Sequence, residues 1–389
     1  RLKNGPHILI APDSFKESLD AFAIARLLKS GIEKSLPGAV IESIPVSDGG
    51  EGFLKVLTEG TNGTFKTFDV HDALMRPVKA EIGFSGDRQT AFIEMATASG
   101  LEMILPEERN PLIASTFGTG EMIKHAIESG CKKIVIGIGG SATNDGGAGM
   151  AQALGAKFLD KNGQELLPGG KQLSELCEID LSGFEKNLPV MLVACDVSNP
   201  FTGPNGASAI YGPQKGSTPE MVQQLDTALK NYAEIIRKQL NIDIENISGA
   251  GAAGGLGGGL VAFTGAKLAS GFQLVTEILE LENRIAKTDF VITAEGKLDE
   301  QTINGKAPLG VAQLAKKYHK PVIGVAGTLG NGYEKLYDHG FDLLISIINQ
   351  PLSLAEAIRN APELLENCGF QIGKIIRLNL NKQNNPASL

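Results

Sequence analysis

At 389 residues the chain has room for about two domains of roughly 100 to 200 residues each. Hydrophobic residues make up 42% and charged ones 21%, ordinary globular usage that excludes a disordered chain and a membrane-resident one. A net charge of −8 without a long Lys/Arg run argues against nucleic acid as a partner, and no stretch has the about 18 unbroken apolar residues of a membrane span.

Apolar runs that end in glycine or polar loops alternate with helical patterns from the start. HILIAPDS precedes LDAFAIARLLKSGIEKSL, and AVIESIPVSDGG precedes EGFLKVLTEG. This βαβ rhythm predicts a mostly parallel sheet with helices on both faces. From about Thr64 to Gly86 the texture changes to the apolar/polar alternation of an antiparallel hairpin or edge. The βαβ pattern returns in KKIVIGIGG with AGMAQALGAKF, in VMLVACD, and late in DFVITAEG, APLGVAQLAKKYHK, PVIGVAGTLG and FDLLISII. The expected fold class is therefore α/β, with two domains. Residues 1–63 and 280–389 form one, and 64–279 are inserted as a second, mixed α/β domain.

The 48 glycines fall in short clusters, which suits backbone that turns tightly or approaches phosphate. Cys131, Cys177, Cys195 and Cys368 form no CxxC pair, so neither a zinc site nor a disulfide framework is expected, and a cytoplasmic location is. The five histidines are scattered and give no metal cluster.

Chemistry-bearing residues gather at the predicted strand ends, where open α/β sheets bind ligands. APDSFKES offers Asp13, Ser14 and Lys16, the last as a point charge for phosphate. Asp-Gly-Gly-x-Gly occurs twice before a helix, at Asp48, Gly49 and Gly50 and again at Asp145, which suggests paired anion and metal sites at helix starts. The ordinary alternative is that Asp and Gly merely enter helices well.

GIGGSATNDGGAGM adds Gly139, Gly140, Ser141, Thr143 and Asn144. It also nearly matches a dinucleotide fingerprint at Gly137, Gly139 and Ala142, with Asp160 at about the distance of a ribose-binding acid. A second G-x-G-x-x-G lies at Gly249, Gly251 and Gly254, but the polar NIDIENI before it makes a poor strand. Asp196 and Asn199, followed by Gln214 and Lys215, suit a general base beside a phosphate clamp. Glu295, Lys297 and Asp299 share one strand-end loop, with the two carboxylates as magnesium ligands. Each group has a plain structural alternative as turn former, cap or solvated charge. A Walker A string is absent.

Taken together, APDSFKESLDA, SDGGEG, EMATASGL, STFGTGE, GIGGSATNDGGAGM, ACDVSNPFTGPNGA, YGPQKG, GAGAAGGLG and TAEGKLDEQTINGKAP strongly resemble the bacterial glycerate kinase family of glyoxylate and glucarate utilisation. They run in order from about residue 8 to residue 325. The resemblance implies two α/β domains, one Rossmann/flavodoxin-like and discontinuous, with substrates between them. It further implies ATP as cosubstrate, Mg2+, and D-glycerate, most often yielding 2-phosphoglycerate; a homodimer is left open. Ser248 stands where the family pattern has Pro, and Ala294 where it has Gly, and neither change removes a donor or a charge.

On this reading Asp196, Lys16 and Asn199 carry catalysis and Glu295 and Asp299 hold the metal. Asp13, Ser14, Asp48, Gly49, Gly50, Gly139, Gly140, Ser141, Thr143, Asn144, Asp145, Gln214, Lys215 and Lys297 bind substrate or nucleotide. A nicotinamide-dependent hydroxyacid dehydrogenase and a non-catalytic small-acid binding protein are the competing readings.

Overall fold

The computed structural model describes residues 5–384, excepting Glu17 and Glu51. Among the described residues thirteen strands run in chain order: β1 (His7–Ile10), β2 (Val40–Ser43), β3 (Thr64–His71), β4 (Pro77–Phe84), β5 (Thr90–Glu94), β6 (Lys133–Gly137), β7 (Lys157–Leu159), β8 (Glu178–Asp180), β9 (Val190–Ala194), β10 (Lys267–Ala269), β11 (Phe290–Leu298), β12 (Val322–Leu329) and β13 (Leu343–Ser346). They divide between two compact units, Arg1–Asp48 with Phe272–Leu389, and Gly49–Gly271.

In the first unit five strands form a wholly parallel sheet in the order β2-β1-β11-β12-β13. Counted within this unit the order is 2-1-3-4-5, the flavodoxin-like arrangement, whose chain reverses direction of winding between β1 and β11. Ile8, Ile10, Ile292, Ala294, Ile323 and Val325 form a buried layer with two helices. One is Ala21–Ser35, capped by Asp20, whose carboxylate accepts from Ala23 N at 2.7 Å. The other is Leu354–Asn384, which inserts Leu364, Leu365, Cys368, Ile372 and Ile376 at helical spacing. The two helices cross closely at Gly31, where an added Cβ would fall 2.0 Å from the Glu366 carbonyl oxygen, inside any allowed contact.

The second unit is built on a six-stranded sheet, β10-β9-β6-β5-β4-β3. Strands β10, β9, β6 and β5 are parallel, and β4 and β3 continue antiparallel as a hairpin over the 64–86 stretch. β7 and β8 form a separate antiparallel ladder. The helix Pro219–Leu240 starts at a Thr218 cap with proline in its first turn, and buries Leu225, Leu229, Tyr232 and Ile236.

The unit boundaries differ from those expected at 63/64 and 279/280. The helix Phe53–Gly60 packs on β4 and β5, burying Phe53, Val56 and Leu57, so it belongs with the second unit. Phe272 lies with the first, its ring so close to Gly310 that a Cβ there would meet it at 2.2 Å. Among the described residues no helix is long and apolar enough to cross a membrane.

Candidate functional site

In the first unit the carboxyl ends of β2, β1 and β11 bring three carboxylates into one region. Beyond β1 the backbone stays zipped to β11, with Ala11 N donating to Ile292 O and Asp13 N to Ala294 O, both at 2.8 Å. On the other side Val46 N donates to Pro12 O at 2.9 Å, so the segment leading to Asp48 runs beside Asp13. Asp13, 9% exposed, therefore sits at the switch point of the sheet. Burial pushes its pKa up to about 7, the Asp48 and Glu295 charges add to the rise, and the Ser14 amide and Lys16 oppose it.

Glu295 projects from β11 into the same region. Its Oε1 accepts from Lys306 Nζ at 2.7 Å, while its Oε2 is buried without a hydrogen-bond partner. Burial raises its pKa, Lys306 and Lys16 oppose that, and Asp48 adds to it. Ser14 is half-buried and Lys16 exposed, and the Lys16 charge acts on both the Asp13 and the Glu295 carboxyls.

Asp299 does not share this arrangement. Its carboxylate caps the short 3-10 helix Glu300–Asn304 by accepting from Gln301 N at 2.9 Å, and pairs with Lys297 Nζ at 2.8 Å. Lys297 first, then the Gln301 amide, holds its pKa below the usual value. Both oxygens are thus engaged within the chain, and Lys297 pairs with Asp299, whereas Glu295 keeps one oxygen without a hydrogen-bond partner. Among the described residues no three His, Cys, Asp or Glu side chains surround one metal position.

In the second unit β6 ends at Gly137 and the glycine-rich loop follows. Gly139 and Gly140 are exposed, whereas Ser141 to Asp145 turn inward. The loop is fastened on one side by Leu101 N donating to Gly140 O at 2.8 Å and Ala142 N to Ser99 O at 2.9 Å. The EMATASGL segment thereby packs along it. Asn144 Nδ2 donates to Ser208 Oγ at 2.8 Å, leaving Asn144 Oδ1 and Thr143 Oγ1 buried without partners.

Asp145 faces the interior and not a ligand. Its carboxylate accepts from Thr116 N and Oγ1, Gly147 N and Gly149 N at 2.8 to 3.1 Å. Burial raises its pKa against these bonds. The helix Ala148–Ala153 starts at Gly147, and Asp145 accepts from the amides of Gly147 and Gly149 at that start. Thr116 is the partner the sequence reading missed. Its only signal was its place in STFGTGE, just before the helix Phe117–Glu128.

Lys215 is likewise internal, 1% exposed, donating from Nζ to Ser141 Oγ at 2.8 Å and Thr143 O at 2.6 Å. Burial brings its pKa down to about 7 against the pull of Asp145. Lys215, expected among the binding residues, thus has its Nζ on two protein oxygens, while its neighbour Gln214 is exposed. Asn199 is spent on its own turn: Nδ2 donates to Asn205 O at 3.0 Å and Oδ1 accepts from Tyr211 OH at 2.6 Å. Asp196 beyond β9 is exposed, with both oxygens 3.2 Å from Gly271 N. Gly49, at φ +98°, lies so close that a Cβ would stand 3.1 Å from Asp196 Oδ2.

The dinucleotide strings lose their context. Asp160 is a half-buried residue just before a turn, accepting from Asn162 N and Gln164 N, and Gly254 lies in turns with no preceding strand. A Cβ at Gly254 would fall 1.9 Å from Thr143 O, so this glycine serves close packing against the 137–147 loop.

Comparison with known proteins agrees with these motifs. The sequence model of the Glycerate kinase family matches residues 8–377. The chain is 51% identical over 356 residues to the glycerate 2-kinase of Escherichia coli (strain K12), covering 91% of this chain and 93% of that one. It is 46% identical over 373 residues to the glycerate kinase of Bacillus subtilis (strain 168), covering 95% and 98%. A crystallised protein of Salmonella typhimurium LT2, assigned as a glycerate kinase 2, is 47% identical with a TM-score of 0.89, over 97% of this chain and all of that one. With its motifs in order along a matched span of this length, the chain belongs to the glycerate kinase family.

Proposed function

We propose that the protein transfers the terminal phosphoryl group of ATP to a hydroxyl of D-glycerate, with Mg2+, giving 2-phosphoglycerate. The observation that carries the reading is the group at the strand ends of the first unit, Asp13, Asp48 and Glu295 with Lys16 and Lys306. Phosphoryl transfer asks of a protein mainly position and charge. Oxygen-only acidic donors beside two ammonium groups supply both.

Magnesium fits these residues better than any softer metal. The donors are hard carboxylate oxygens, Glu295 Oε2 is buried with no protein partner, and one or two carboxylates are the usual protein share. Asp13 and Glu295 would hold it, with Asp48 adjacent, in place of Asp299. When bound, the ion would neutralise charge on the transferring phosphate. Lys16, exposed on its short turn, approaches the same phosphate oxygens as a flexible point charge. Asp196, exposed beyond β9, is the carboxylate we assign to the glycerate hydroxyl, as base or orienter. Asn199 supports it by fixing the turn that follows.

Purified protein supplied with ATP, Mg2+ and D-glycerate should release ADP, and NMR of the product should show the phosphate on the C2 hydroxyl. Absence of glycerate-dependent ADP release would refute the activity, and phosphate on C3 the product.

A further inference from the structure

Lys215 has no part in the roles just described, yet its burial is costly. An ammonium taken out of water loses several kcal/mol unless hydrogen bonds and charge offset it, and an apolar side chain of similar size often serves stability as well or better. Here the side chain reaches from the turn Pro213–Lys215 to two alternate residues of the glycine-rich loop, 74 and 72 positions earlier. Those residues, Ser141 and Thr143, directly follow the exposed Gly139 and Gly140.

The opposite side of the loop is tied to Ser99 and Leu101, and its far end to Thr116 through Asp145. With Lys215 in place the loop is held at Gly140, Ser141, Ala142, Thr143 and Asp145. Thr143 Oγ1, a hydroxyl able to donate, remains buried without a partner, which folded cores rarely allow.

We infer that Lys215 is a positioning residue: it pins Ser141 and Thr143 from within through two hydrogen bonds and so fixes the Gly139–Gly140 turn, whose outer face receives an anionic oxygen. The anion is either a nucleotide phosphate or the carboxylate of the acceptor acid, and Lys215 touches neither. This deepens the kinase reading and rests on it. A shift of the loop by about 1 Å is enough to cost on the order of 100-fold in rate.

The test compares Lys215→Met, which keeps length without charge, with Lys215→Arg, which keeps the charge. We expect Lys215→Met to fold, with a thermal midpoint near that of the wild type and about 100-fold lower kcat/KM, and Lys215→Arg to recover at least tenfold of it. A rise confined to the KM for ATP assigns the loop to the nucleotide, and one confined to the KM for glycerate assigns it to the acceptor acid. Unchanged kcat and KM values in a folded Lys215→Met protein overturn the inference. Should that variant fail to fold, Ser141→Ala removes one of the two acceptors and is expected to raise the KM of one substrate about tenfold; wild-type kinetics there overturn it equally. A wild-type protein that releases no ADP refutes the kinase reading instead. The positioning role is then decided by calorimetric binding of ATP and of glycerate to the same variants, where equal affinities overturn it.

Discussion

Replacing Asp13 by Asn offers a direct measure of the strain stored at the switch point. Without metal, the Asp13 carboxyl titrates near 7 against an ordinary value of 3.8, because burial disfavours its charge and Asp48 repels it. A carboxyl whose folded pKa is raised contributes stability in full below the unfolded value and loses it as the pH rises through the folded one. The shift of about three units corresponds to about 4 kcal/mol once the group is fully ionised, and about two of those units accrue between pH 5 and pH 7. Asparagine has nearly the same shape, still accepts from Ser14 N, and never ionises. Denaturant unfolding in the presence of EDTA should therefore show the stability of Asp13→Asn gaining on the wild type by about 3 kcal/mol from pH 5 to pH 8. Millimolar Mg2+ should narrow that gap at pH 8, since a cation bound by the folded wild type stabilises it by mass action. Phosphoryl transfer should fall in the same variant. A stability difference that stays constant from pH 5 to pH 8 would refute the account of Asp13.

Three further outcomes follow from the placement of the remaining side chains. Lys16→Ala removes an exposed ammonium, so kcat/KM should drop while stability stays within about 0.5 kcal/mol, and wild-type kinetics would make this lysine a bystander. Asp196→Asn should lower kcat by about 10² to 10⁴ with nearly unchanged ATP affinity in equilibrium binding; lost ATP affinity would place Asp196 on the nucleotide instead. Asp299→Asn should weaken the 3-10 cap and the Lys297 pairing, costing about 1 kcal/mol in denaturant unfolding, while the Mg2+ concentration for half-maximal rate stays put; a raised requirement would return Asp299 to the metal.

Sequence periodicity was sufficient for most strands because each carries its own apolar run into a glycine or polar stop. HILI, KKIVIG, VMLVA, DFVITA and FDLLIS all lie on or overlap observed strands, and the alternation at 64–86 became the β3–β4 hairpin. What periodicity could not supply was the partner of an element. The helix Phe53–Gly60 reads as the continuation of the first βαβ unit, but its Phe53, Val56 and Leu57 are buried against β4 and β5 of the other unit. The long final helix passed unremarked, although Leu364, Leu365, Cys368, Ile372 and Ile376 repeat at three- and four-residue spacing.

The candidate site was legible as a set of residues and illegible as a set of directions. A carboxylate or ammonium in a loop looks the same in sequence whether it faces a ligand or caps its own chain. Asp48 and Asp145 share the Asp-Gly-Gly-x-Gly string, yet Asp145 is closed off by Thr116, Gly147 and Gly149, and the first of these lies 29 residues away. Lys16 and Lys215 both follow a turn, yet one is exposed and the other fully interior, because Ser141 and Thr143 approach it from a distant strand end. Asp299 lies four residues beyond Glu295, and the strand runs on between them to Leu298. The reach of Glu295 is into the β1 side of the sheet, while Asp299 turns to start the next helical turn. Long-range pairing, and not the local motif, decided that Asp145 and Lys215 face the interior.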